Sequence, residues 1–163
     1  MDITELAKFG AMITVLSNAR LMLIAFIIFM ILVVVIRRTD IYGRRKLGNI
    51  MLGFSIPGGL VLIIYVVLFI LCYIAYHQEF ENGMNFEGGI SDIVRTYMGI
   101  SGDLVLISMI IVLIYGIVSA IIGMLMLKNG YGTSIGVIAL TIGGIFAVLS
   151  TLLFFPVLAG MSY

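Results

Sequence analysis

His77 and Glu81 stand four residues apart with Glu79 between them, a spacing that places an imidazole and a carboxylate on one face of a helix. Metal binding is the chemistry such a pair suggests. His77 is the single histidine, however, and a closed site takes about four ligands. The expectation is no metal, with His77 ending a helix near a membrane surface. Cys72 lies one turn deeper, in an apolar run. One cysteine allows neither an intrachain disulfide nor a cysteine cluster, and apolar surroundings leave a thiol inert. A small core residue is expected there.

Ser108, Tyr115 and Ser119 share a stripe at helical spacing. Such a stripe can line a narrow polar path, and its hydroxyls can equally bond a neighbouring helix. Arg20 precedes the Arg37–Arg38 pair by about 25 Å along a helix. It therefore falls near an edge of the hydrocarbon, either snorkelling to headgroups or pairing with a partner's carboxylate. No Asp or Glu lies inside an apolar run, which weighs against proton- and cation-coupled carriers. Aspartate pairs, serine–histidine sets, CxxC at a membrane face and glycine-rich phosphate loops are likewise missing from the sequence. A non-catalytic protein without a cofactor is expected.

The elements that must carry these residues follow from composition. The chain is 63% apolar and 10% charged over 163 residues, where a soluble domain is about 45–50% apolar and about 25% charged. A chain this small cannot hide that much apolar surface from water. With a net charge of +1 there is no case for nucleic acid. A bilayer core needs about 20 apolar helical residues per crossing. Four runs meet that need, approximately 15–36, 54–76, 104–127 and 135–158. Segments of alternating polarity, the mark of a barrel, are lacking, and backbone satisfaction in lipid then demands helices. The chain is thus expected to be an all-α integral membrane protein with four transmembrane helices in one domain. The opening Met1-Asp2-Ile3-Thr4-Glu5 lacks the basic leader of a cleaved signal, so the first run is read as a retained span.

Arg37, Arg38, Arg44, Arg45 and Lys46 crowd the first connection and Lys128 marks the third, whereas the second holds Arg95 against Glu79, Glu81, Glu87, Asp92 and Asp103. Short cationic loops stay in the cytoplasm. Both termini are therefore expected outside, in the cytoplasmic membrane. Pro57 reads as lying near the start of the second helix, Asn129-Gly130 as the end of the third, Thr133 or Ser134 as a cap of the fourth, and Pro156 as its bend or end. Ile90, Ile93, Val94, Tyr97 and Met98 fall on one side of a short segment, with Asp92, Arg95 and Thr96 opposite. That pattern predicts a short interfacial amphipathic helix between helices two and three.

Small residues supply the candidate packing contacts. Gly116, Ala120 and Gly123 share a face with Ser119 beside them. Gly132, Gly136, Ala139, Gly143, Ala147 and Thr151 run along the fourth helix. Such faces let backbones approach, within one hairpin or against another subunit. The expected function is a structural or accessory subunit of a larger membrane complex, with the bilayer and other membrane subunits or a second copy as partners. The competing expectation is a small homo-oligomeric transporter, channel or pore-forming protein.

Overall fold

The computed structural model describes the backbone over residues 3–38, 41–81 and 92–160, with side chains over 12–38, 41–74 and 95–152. Four helices account for it: α1 (Ile3–Arg37), α2 (Tyr42–Glu81), α3 (Asp92–Lys128) and α4 (Thr133–Gly160). Each contains a stretch long and apolar enough to cross a membrane, namely Met12–Arg37, Tyr42–Ile74, Arg95–Lys128 and Thr133–Leu152. The helices overshoot the bilayer: α2, with 40 residues, is about 60 Å long against a hydrocarbon core of about 30 Å.

Seven-residue spacing organises the core. Val15, Met22, Phe29 and Ile36 are buried on α1; Met51, Gly58, Tyr65 and Cys72 on α2; Ser101, Ser108, Tyr115 and Ile122 on α3. A strict seven-residue repeat keeps one seam facing its neighbours when helices wrap gently around each other. These three seams meet in one core, with Cys72 in a small cluster of its own, while the opposite faces present Ile, Leu and Val outward, as lipid-facing helices do. The fourth helix lies outside this trio, packed along α3 and only brushing α1.

A Schellman turn separates α3 from α4. The Tyr131 amide donates to the Met126 carbonyl at 2.9 Å and the Gly130 amide to that of Leu127 at 3.3 Å, with Gly130 at φ +67°. Asn129-Gly130 thus ends α3 as expected. The N-cap of α4 is Gly132, whose carbonyl accepts from the Gly136 amide at 3.0 Å, and Thr133 is already the first helical residue. The φ of +114° at Gly132 explains the substitution of a glycine for a hydroxyl cap.

Three expectations need correction. Pro57 sits well inside α2 because the helix begins at Tyr42 and takes in Arg44, Arg45 and Lys46; membrane helices tolerate such a proline when neighbours re-satisfy the freed groups. Of the bend or end expected at Pro156, the end is not found: the fourth helix continues to Gly160. A separate interfacial helix is not shown either: from Asp92 onward its residues form the first turns of α3. Tyr97 and Met98 there pack against Cys72 of α2, as does Met12 of α1. For Tyr97 and Met98, this packing supplies apolar cover. Residues 90 and 91 lie outside the described residues, as do the side chains of His77, Glu79 and Glu81.

Candidate functional site: a buried hydroxyl row

Polar side chains from three helices line up inside the α1–α2–α3 core. Asn18 on α1 donates through Nδ2 to the Ser101 hydroxyl of α3 at 3.0 Å. The Tyr65 hydroxyl of α2 reaches the Ser101 carbonyl at 3.5 Å and the Ser108 hydroxyl at 3.4 Å. One further heptad along α3, Tyr115 donates to the Ser55 carbonyl of α2 at 3.3 Å. Its ring stacks on Phe29 of α1, with centroids 4.0 Å apart and planes 6° apart. The row therefore joins all three helices at several depths.

Each serine hydroxyl in the row also serves its own helix. Ser101 donates to the Met98 carbonyl, Ser108 to Leu104 and Ser55 to Leu52, at 2.7–2.8 Å. Such back-bonding occupies the hydroxyl protons locally. Ser119 differs: it is fully buried, and its Oγ has no hydrogen-bond partner among the described residues. No carboxylate, amine or imidazole belongs to the row; its hydroxyls and the Asn18 amide make hydrogen bonds that tie the three helices together. Among the described residues no cluster of three or more His, Cys, Asp or Glu could hold a metal ion.

No family model, curated protein or solved structure matches this chain. The site must therefore be read from its own geometry.

The small residues expected to make helix contacts are brought together, and they meet each other. A β-carbon on Gly116 would stand 2.8 Å from the Ala147 amide nitrogen and 2.9 Å from the Gly143 carbonyl oxygen. On Gly123 it would stand 2.7 Å from the Gly136 carbonyl oxygen, and on Gly143 2.6 Å from the Ala120 amide nitrogen. These are backbone atoms, so nothing can swing aside. The face Gly116, Ala120, Gly123 on α3 thus closes on Gly136, Gly143, Ala147 of α4 inside one hairpin. The four-residue ladder does not persist to its end. Ser150 is buried and Thr151 exposed, because each four-residue step overshoots a helical turn by about 40°.

Arg20 is exposed on α1, with no ion pair among the described residues. It stays apart from the row and from the hairpin faces. Sequence reasoning found Ser108, Tyr115 and Ser119 but missed Asn18, Ser55, Gly58, Tyr65 and Ser101. The available signal was the seven-residue spacing of Ser101, Ser108 and Tyr115, matched by Gly58, Tyr65 and Cys72.

Proposed function

We propose that this chain is a non-catalytic multi-pass membrane protein, a structural or accessory subunit of a larger membrane complex. The observation that carries this reading is the filled centre of the three-helix core. Tyr115 is fully buried and stacked on Phe29, and its hydroxyl fits against Gly58. The polar groups around it are used to fasten helices, which is what a rigid scaffold requires. Placement in the cytoplasmic membrane with both termini outside is part of the proposal. It is supported by the gathering of cations at one end: Arg37 and Arg38 close α1, Arg44, Arg45 and Lys46 open α2, and Lys128 ends α3. With its small residues spent inside the hairpin, the chain offers other subunits the outer faces of α2 and α4 and the exposed Arg20.

Ser119 favours the runner-up, a homo-oligomeric transporter, channel or pore-forming protein, because an unpaired buried hydroxyl suits a polar path better than a scaffold. Gentle detergent extraction followed by native mass spectrometry tests the two together with flux through liposomes. Co-purifying polypeptides, silent liposomes and weaker co-purification of Arg20→Ala are expected. Solute or ion flux from the purified chain alone, abolished by Ser119→Leu, would overturn the subunit reading.

A further inference from the structure

The cationic end of the bundle is built around one side chain. Arg44 leaves the first turns of α2 and reaches across to α1, where Nη2 donates to the Val35 carbonyl at 2.8 Å. That bond satisfies a carbonyl in the last turn of α1, where a cation is favoured. The same guanidinium passes the start of α4: a β-carbon at Gly132 would stand 3.7 Å from Nη1. Its Nε is buried without an acceptor among the described residues. Arg44 thus sits where α1 ends and α4 begins.

An apolar groove opens at the same place. Because α4 packs on α3 and barely meets α1, the two helices leave a cleft of about 190 Å³ between them. Ile31, Leu32 and Val35 line one wall, and Ile135, Ile138 and Ile142 the other. Val35, whose carbonyl holds Arg44, is also the last groove residue of α1. The groove runs for about 10 Å along each helix. That is wide enough for a hydrocarbon chain and too slight for a helix about 10 Å across.

We propose that the α1–α4 groove and Arg44 together bind one anionic phospholipid, with an acyl chain along the groove and the phosphate at the guanidinium. Charge complementarity selects the headgroup. Residues 37–46 hold Arg37, Arg38, Arg44, Arg45 and Lys46 against the single acid Asp40, and Lys128 ends the neighbouring helix. Basic pockets between membrane helices on the cytoplasmic side suit anionic headgroups. Geometry selects Arg44 from this crowd, since its guanidinium bonds the carbonyl of Val35, the last groove residue of α1, and passes the start of α4. A phosphate oxygen accepts from a guanidinium as a carboxylate does, with a strong charge-assisted bond.

Native mass spectrometry of the full chain in mild detergent tests this, with dioleoyl phosphatidylglycerol titrated against dioleoyl phosphatidylcholine. One retained phosphatidylglycerol per chain is expected, favoured at least about fivefold over the zwitterionic lipid. Arg44→Gln should erase that preference, while Arg45→Gln, which removes an exposed cation one residue on, should leave it within about twofold. Equal losses in the two variants would mean a diffuse basic surface and overturn the site. Inorganic phosphate should not compete; competition by phosphate alone would overturn the role of the groove. A photoactivatable acyl chain on phosphatidylglycerol, used with the unaltered protein, should label residues 28–35 and 135–142. Labelling spread evenly over the lipid-facing helices, or a co-purifying polypeptide that protects the groove from label, would overturn the proposal.

Discussion

The hydroxyl of Tyr115 occupies the space that a side chain at Gly58 would need. Neither ring nor hydroxyl can retreat easily, because Phe29 lies flat against the ring at 4.0 Å. Alanine is favoured over glycine by about 1 kcal/mol in a helix. Overpacking a fixed core costs about 1–3 kcal/mol, and here the clash should win. Gly58→Ala is expected to lower stability in detergent. Adding Tyr115→Phe removes the nearest obstruction, leaves the flexible end of Met22 to give way, and should restore part of the loss. A double variant as unstable as Gly58→Ala alone would show that the clash is not with Tyr115.

The α3–α4 hairpin makes a sharper contrast between adjacent residues. Gly143 faces the backbone of α3, while a β-carbon on Gly144 would meet nothing within 4 Å. Gly143→Ala or Gly123→Ala should destabilise by about 1–3 kcal/mol, and the leucine variants should part the helices. Gly144→Ala should be neutral or stabilising by up to about 1 kcal/mol. Thermal denaturation of the five variants in one detergent decides it. Equal behaviour at 143 and 144 would contradict the close approach.

Tyr65 is the bridge between α2 and the upper part of α3. Its two contacts, at 3.4 and 3.5 Å, are long. Hydrogen bonds between membrane helices average about 0.6 kcal/mol. Tyr65→Phe should therefore cost less than about 1 kcal/mol, whereas Tyr65→Ala also opens a cavity and should cost about 3–5 kcal/mol. Chemical denaturation in mixed micelles would measure both. A large loss from Tyr65→Phe would mean that the hydroxyl holds something besides Ser101 and Ser108.

Ser119→Ala separates the two functional readings. A buried hydroxyl without a partner costs about 1–3 kcal/mol, so in a dry scaffold the alanine variant should be more stable. If Ser119 instead lines a hydrated path that opens within the bundle, the change should leave stability flat and alter flux in liposomes.

Topology can be read with an impermeant maleimide in intact cells, in a Cys72→Ala background. Tyr42→Cys is a better inner probe than Gly43→Cys: Tyr42 is 81% exposed, and a side chain at Gly43 would run into the Tyr131 ring. Met84→Cys, in the second connection, should label and Tyr42→Cys should not. The reverse pattern would invert the proposed orientation.

Four apolar runs were enough by themselves to specify helices, because lipid offers a backbone amide no other partner than its own chain. The Asn129-Gly130 stop was equally local, since it needs only a residue that accepts positive φ. Rotation of each helix about its axis was a different matter. In a soluble bundle the polar face declares itself, but here Ile, Leu and Val cover the inner and outer faces alike, and lipid provides no hydrophobic force to sort them. Whether Ser150 or Thr151 turns inward, and whether Gly143 or Gly144 meets α3, therefore depended on the partner helix. The hydroxyl row needs Asn18, Tyr65 and Ser101 from three helices at one depth, a coincidence that no single stretch of chain contains. The extent of α2 was also decided in three dimensions. Arg44 reads in the sequence as one of several loop cations, and only the meeting of α1's end with α4's beginning makes it a wedge at the mouth of a groove.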